Sequence, residues 1–193
     1  MTRFALRLLA GSLALLWTGQ AVAQTIEYRV LATTKTSTME KELNEAAEEG
    51  YRFNGVMGGE TAFGGQEVVV LMSRLADSPK GRFAYKLIAT NRTSTMQKEL
   101  KQAADAGYLY QDQTIFESFF GGQEIVIILE RDKETPIARD EYKLLATSKT
   151  STLQKELSEA GAAGYAFVGF TLGKTAMGGN ELVVITKRTT AER

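Results

Sequence analysis

Apolar residues recur along this chain in two alternating rhythms. Met39, Leu43, Ala46 and Ala47 follow the i, i+4, i+7, i+8 spacing of an amphipathic helix, and Met96, Leu100, Ala103 and Ala104 repeat it. Ahead of each helix lies a short apolar run with a basic residue second. These runs are Tyr28-Arg29-Val30-Leu31-Ala32, Tyr85-Lys86-Leu87-Ile88-Ala89 and Tyr142-Lys143-Leu144-Leu145-Ala146. They predict strands near a sheet edge. Behind each helix come two further strands. The first covers about residues 51–57, and the second is Glu67-Val68-Val69-Val70-Leu71-Met72. Glu124-Ile125-Val126-Ile127-Ile128-Leu129 and Glu181-Leu182-Val183-Val184-Ile185 are equivalents of the second strand, and a Gly-rich connection before each implies a hairpin.

The predicted unit is therefore β-α-β-β, and it occurs three times at a step of 57 residues (Tyr28, Tyr85, Tyr142). Thr36-Ser37-Thr38, Gly50-Tyr51 and Gly64-Gly65 keep the same step without insertion or deletion. Ser37 with Glu40, Ser94 with Gln97 and Ser151 with Gln154 fit a capping box, which makes each serine the expected helix N-cap. Gly50, Gly107 and Gly164 stand where a left-handed residue ends a helix, with a tyrosine next as its apolar contact.

The last strand of each unit is apolar without alternation, so both of its faces should be buried. One helix covers one face of a three-stranded sheet. A sister repeat or a second chain must cover the other, and a unit of this size is marginal alone. The expectation is an α+β protein of three tandem β-α-β-β repeats, forming one compact pseudo-threefold body with helices outside. Its divisions are repeat 1 at 24–78, repeat 2 at 79–135 and repeat 3 at 136–193, after a leader at 1–23. Independent beads are the competing arrangement. The short linkers 76–82 and 133–139, marked by Pro79 and Pro136, favour compactness.

At Glu42-Leu43-Asn44-Glu45-Ala46-Ala47-Glu48-Glu49-Gly50-Tyr51 the chain resembles the small domain-of-unknown-function family numbered 4177. Glu156-Leu157-Ser158-Glu159-Ala160-Gly161-Ala162-Ala163-Gly164-Tyr165 resembles it most, although that family more often has tryptophan where Tyr51, Tyr108 and Tyr165 stand. The resemblance implies a strand, a helix ending in a Gly-aromatic step and a hairpin. It implies no activity.

The first 23 residues change the picture of where the protein works. Arg3 and Arg7 precede an apolar core at 8–17, and Ala21-Val22-Ala23 is a small-x-small signal, so cleavage is expected after Ala23. That core is shorter than the roughly 20 residues that span a bilayer, so no permanent membrane anchor is expected. The chain is read as exported, periplasmic or secreted. It has no cysteine, which removes a lipid-anchoring site and any disulfide, and no histidine, the commonest general base and metal ligand. Its 23 basic and 23 acidic residues balance, an argument against a nucleic-acid partner.

Four features carry candidate chemistry. Lys35, Ser37 and Thr38, with Arg92, Ser94, Thr95 and Lys149, Ser151, Thr152, set a base and hydroxyls at helix N-termini, where an anion is favoured. The plain alternative is that each serine is simply a cap. Thr38 with Lys41 has a nucleophile-x-x-Lys spacing, set against lysines on the polar side of a helix. Glu67, Glu124 and Glu181 could meet on a threefold axis as a carboxylate ring, set against surface glutamates paired across a hairpin. Phe63, Phe119, Phe120 and Met177 put apolar groups at hairpin tips that are normally polar, so each tip needs either an internal or an external partner. The leading reading is an exported, non-enzymatic module that binds an unknown protein or peptide through three hairpin tips. The alternative is a small-anion binder, and an enzyme of unknown type is third. No catalytic residue, metal site or cofactor is assigned.

Overall fold

The computed structural model describes residues 25–60, 65–117, 122–137, 139–175 and 177–190. The leader at 1–23 and the tip residues Phe63, Phe119 and Phe120 lie outside the described residues. Repeat 1 comprises β1 (Ile26–Thr33), α1 (Thr36–Glu48), β2 (Arg52–Glu60) and β3 (Gln66–Leu75). Repeat 2 comprises β4 (Phe83–Thr90), α2 (Thr93–Asp105), β5 (Leu109–Glu117) and β6 (Gln123–Asp132). Repeat 3 comprises β7 (Arg139–Thr147), α3 (Thr150–Ala162), β8 (Ala166–Lys174) and β9 (Asn180–Thr190). The protein is α+β, and each unit is β-α-β-β as its sequence predicts.

Each unit builds one three-stranded antiparallel sheet with its last strand in the middle: β1-β3-β2, β4-β6-β5 and β7-β9-β8. That order explains the uninterrupted apolar runs, because a central strand has a neighbour on either side and a layer on either face. In β6, Ile125 to Leu129 are all at most 3 % exposed. One extra residue bulges from the second strand at the same place in every unit, between Phe53 and Gly55, Tyr110 and Asp112, and Phe167 and Gly169.

The helix ends behave as their sequence requires. Gly50, Gly107 and Gly164 are left-handed, at φ +92°, +83° and +83°. The Gly50 N–H donates to the Ala47 carbonyl and the Tyr51 N–H to the Ala46 carbonyl, a Schellman closure repeated in all three units. The helix starts do not follow the capping box. Lys35, Arg92 and Lys149 are the N-cap residues, extended and without a side-chain cap. The helix begins two residues earlier than a serine cap allows, so Ser37, Ser94 and Ser151 already lie inside the first turn. The preceding threonines close the turn instead, with Thr33, Thr90 and Thr147 Oγ1 accepting the N–H groups of Lys35, Arg92 and Lys149.

The helices are not an outer layer. Met39, Leu43, Ala46 and Ala47 are at most 1 % exposed. They share one core with Val68, Val70 and Met72 of their own sheet and with Phe83, Tyr85, Val126 and Ile128 of the next. A second core joins α2 and β6 to Tyr142, Val183 and Ile185 of repeat 3 in the same manner. Each of α1 and α2 thus fills the junction between its own sheet and the following one. A closed threefold body would give Tyr28, Tyr85 and Tyr142 equal surroundings. Tyr85 and Tyr142 are buried at 2 % and 4 %, whereas Tyr28 is 63 % exposed. Among the described residues, the repeats are stacked in series and the series has two open ends.

Candidate functional site

The junctions hold the most constrained chemistry of the described residues. In the first, two side chains of α1 hydrogen-bond to the backbone of β4, the edge strand of the next sheet. Asn44 donates to the Tyr85 carbonyl at 2.9 Å and accepts the Tyr85 N–H at 2.9 Å, while Glu40 accepts the Leu87 N–H at 2.8 Å. The second junction uses one amide for both tasks. Gln97 donates to the Tyr142 carbonyl at 2.8 Å and accepts the Leu144 N–H at 2.8 Å. An edge strand presents unpaired N–H and C=O groups, and these side chains pair them.

On the far side of each junction the hairpins meet. The Tyr85 hydroxyl accepts the Phe53 N–H at 2.9 Å, and the Tyr142 hydroxyl accepts the Tyr110 N–H at 2.7 Å. Phe53 and Tyr110 stand next to the bulge, whose broken ladder frees those N–H groups for the next repeat. Gly58 donates its N–H to Thr114 Oγ1 at 2.7 Å, and a Cβ on Gly58 would lie 2.3 Å from the Ile115 carbonyl oxygen. This close approach of two backbones requires glycine.

Ionic groups distinguish the junctions. Glu130 is buried, receives a hydrogen bond from the Tyr85 hydroxyl at 2.8 Å and pairs with Arg52 at 2.9 Å. Burial, with the Glu130 charge beside it, pushes the Tyr85 hydroxyl well above its ordinary pKa. Tyr142 is pushed up to about 12, chiefly by burial. Within repeat 3 the buried Asp140 carboxylate pairs with Lys187 at 2.8 Å and accepts from Thr189 at 2.7 Å. A buried tyrosine with a raised pKa holds its proton and serves as a structural donor.

The helix starts do not form three equal sites. Thr93 at the head of α2 donates to the Glu181 carboxylate of repeat 3 at 2.5 Å, so a protein carboxylate already occupies that position. The Lys174 N–H also donates to the Asn91 carbonyl there, at 2.8 Å. Among the described residues, no carboxylate of another repeat is seated at the head of α3 in the way Glu181 is at α2. Lys41 and Lys155 pair with Glu45 and Glu159 one helical turn on, with side chains 75 % and 79 % exposed, the solvated face of the plain reading. Glu181 is engaged by Thr93 rather than gathered in a carboxylate ring. No cluster of metal-ligating side chains is present among the described residues.

Met177, at the third hairpin tip, is 99 % exposed. Two larger apolar surfaces occur at the ends of the stack, which sequence reasoning missed. Ile26, Tyr28, Val30, Met57 and Leu71 lie on one face of the first sheet at 39–64 % exposure. Phe167, Phe170 and Leu172 of β8 lie on the last sheet at 63 %, 52 % and 47 %. Among the described residues, no helix is long and apolar enough to cross a membrane. Comparison with protein-family models, with curated proteins and with solved structures gives no match.

Proposed function

We propose that the protein is an exported, non-enzymatic interaction module, one stacked body of three repeats that binds a protein or peptide through exposed apolar surface. One observation carries this reading. The β8–β9 hairpin of repeat 3 displays Phe167, Phe170 and Leu172 on its strand and Met177 at its tip, all largely in water. Contiguous apolar surface of this kind marks a contact site, because exposure is unfavourable by about 25 cal/mol for each Å² that a partner would cover. The tip glycine Gly178 is left-handed at φ +86° and a Cβ there would meet open space, so the tip has room for a partner. Export rests on the basic, apolar and small-residue segments ending at Ala23.

At the start of α2 the Glu181 carboxylate stands where an anion would sit, which leaves the anion reading with the starts of α1 and α3. The test is a crosslinking pull-down from the exporting cell, read by mass spectrometry. It compares the native protein with a Phe63→Ser, Phe120→Ser, Met177→Ser variant of equal melting temperature. A partner captured by the native protein and lost with the variant supports tip binding. The same captured set from both proteins refutes it.

A further inference from the structure

The two internal junctions show what covers the back face of a sheet in this protein. In repeat 2 that face carries Phe83, Tyr85, Val126 and Ile128 at 8 %, 2 %, 0 % and 0 % exposure, covered by repeat 1. In repeat 3 it carries Tyr142, Val183 and Ile185 at 4 %, 0 % and 0 %, covered by repeat 2. In repeat 1 the equivalent positions are Ile26, Tyr28, Val69 and Leu71. Ile26, Tyr28 and Leu71 are exposed at 49 %, 63 % and 39 %, and Val69 is half-buried. Val30, one period before the partly buried Leu87, is exposed at 64 %. Val30 is the partner of Leu71 across the β1–β3 ladder and Met57 of Val69 across β2–β3, so these residues share one face. That face and its edge strand are those of an internal junction with the preceding repeat missing.

The other end of the chain is the matching half. Gln154 on α3 stands one period beyond Gln97 and carries the same amide, but it turns to Ser158 of its own helix at 3.4 Å. Phe167 stands where Phe53 and Tyr110 give their N–H groups to the next tyrosine hydroxyl. Only two α3 residues, Leu153 and Ala160, are buried, against four in each of α1 and α2.

We propose that repeat 3 of one molecule seats on repeat 1 of a second copy, continuing the stack head to tail. Gln154 would donate to the Tyr28 carbonyl and accept the Val30 N–H of the second copy. The Tyr28 hydroxyl would accept the Phe167 N–H, and Phe170 and Leu172 would cover Met57 and Leu71. The contact is heterologous, so it closes into a ring or runs on as a filament according to the rotation per repeat. The proposal rests on the interaction reading and names its partner, though tip binding to another protein could stand without it.

The test uses the protein purified from its own export route, with mass read by sedimentation velocity from micromolar to millimolar concentration. Val30→Glu blocks the back face and Phe170→Glu the front face. Both residues are exposed, and matching circular dichroism confirms the fold. The native protein is expected to assemble into multiples of one chain and each single variant to remain one chain. An equimolar mixture of the two variants should double in mass and stop there, because one open half remains on each. Gln154→Ala should weaken native association by roughly tenfold, the loss of one edge-pairing amide. A native protein that stays one chain at every concentration overturns the proposal. So does a mixture that fails to pair, or a single variant that assembles as the native protein does. Because the pull-down reads Met177 and the tips, not Val30, the two hypotheses can fail separately.

Discussion

Removing one hydroxyl at three equivalent tyrosines gives three different costs if the repeats stack in series. Tyr85→Phe deletes the acceptor of the Phe53 N–H and the donor to buried Glu130. A partly buried N–H left unpaired costs about 1–3 kcal/mol, and a hydrogen bond to a charged group contributes about 1.5–3 kcal/mol. Arg52 still holds Glu130, which limits the second loss, so about 2–4 kcal/mol is expected. Tyr142→Phe removes one bond, to the Tyr110 N–H, and should cost about 1–2 kcal/mol. Tyr28 is 63 % exposed, so Tyr28→Phe should stay within about 0.5 kcal/mol. The assay is urea unfolding followed by tyrosine fluorescence and far-ultraviolet circular dichroism, at a dilution where the protein is a single chain. Midpoints are compared at unchanged slope. Coincidence of the two signals checks whether the stack unfolds as one unit. Equal costs at Tyr28 and Tyr85 would refute serial stacking, since only a closed ring of repeats gives the two residues the same environment.

Two further outcomes follow from the same geometry. Gly58→Ala places a Cβ 2.3 Å from the Ile115 carbonyl oxygen and should destabilise by about 2 kcal/mol or more, whereas Gly55→Ala meets nothing within 4 Å and should be close to neutral. Thermal melts of the two variants check this, and equal melting temperatures would contradict the close approach of β2 and β5. Glu27, Glu49, Asp132 and Glu141 each have a pKa lowered first by a hydrogen bond from an arginine, namely Arg74, Arg29, Arg82 and Arg188. A carboxyl with a depressed folded pKa stabilises above its unfolded value of roughly 4 and loses that contribution as pH falls through the folded value. The melting temperature should therefore fall below about pH 4, less steeply in Arg82→Leu; a flat profile from pH 5 to 2 would contradict these pairings.

What the sequence made legible is what depends on nearby residues. The stripe of Met39, Leu43, Ala46 and Ala47 is buried throughout, and Gly50 has the left-handed angle its position required. The apolar run at 125–129 called for burial on both faces, and those residues are at most 3 % exposed. The capping box failed in all three units. Glu40 and Gln97 reach forward to the next repeat's edge strand, but Gln154 does not and α3 starts in the same way. The start common to all three helices therefore goes with the turn closed by Thr33, Thr90 and Thr147. The open ends were hidden by the repetition itself. Tyr28, Tyr85 and Tyr142 stand in nearly the same local sequence, and local sequence does not record which neighbour is missing. A weak signal was present in α3, where Gly161 replaces the alanine of Ala47 and Ala104 and loosens the buried stripe.

An ionic pair fixes the partners of the first internal junction, while the ends of the stack carry no such pair. In a stack of repeats, stability is a sum of unit and neighbour contributions, and terminal units normally carry a polar outer face. The first internal junction has an ionic mark that crosses it, Arg52 of repeat 1 with Glu130 of repeat 2, whereas the Lys187–Asp140 pair lies within repeat 3. Separating Arg52 from Glu130 would leave a buried carboxylate without its cation, which ties repeat 1 to repeat 2. The end faces lack these marks. Ser73 stands at the position of Glu130, Ile26 at that of Asp140 and Ala166 at that of Arg52. An end-to-end junction would bury no charge at these places. It would bring together apolar side chains, the Gln154 amide and the free edge of β1, which is the set of contacts a second copy of this chain supplies.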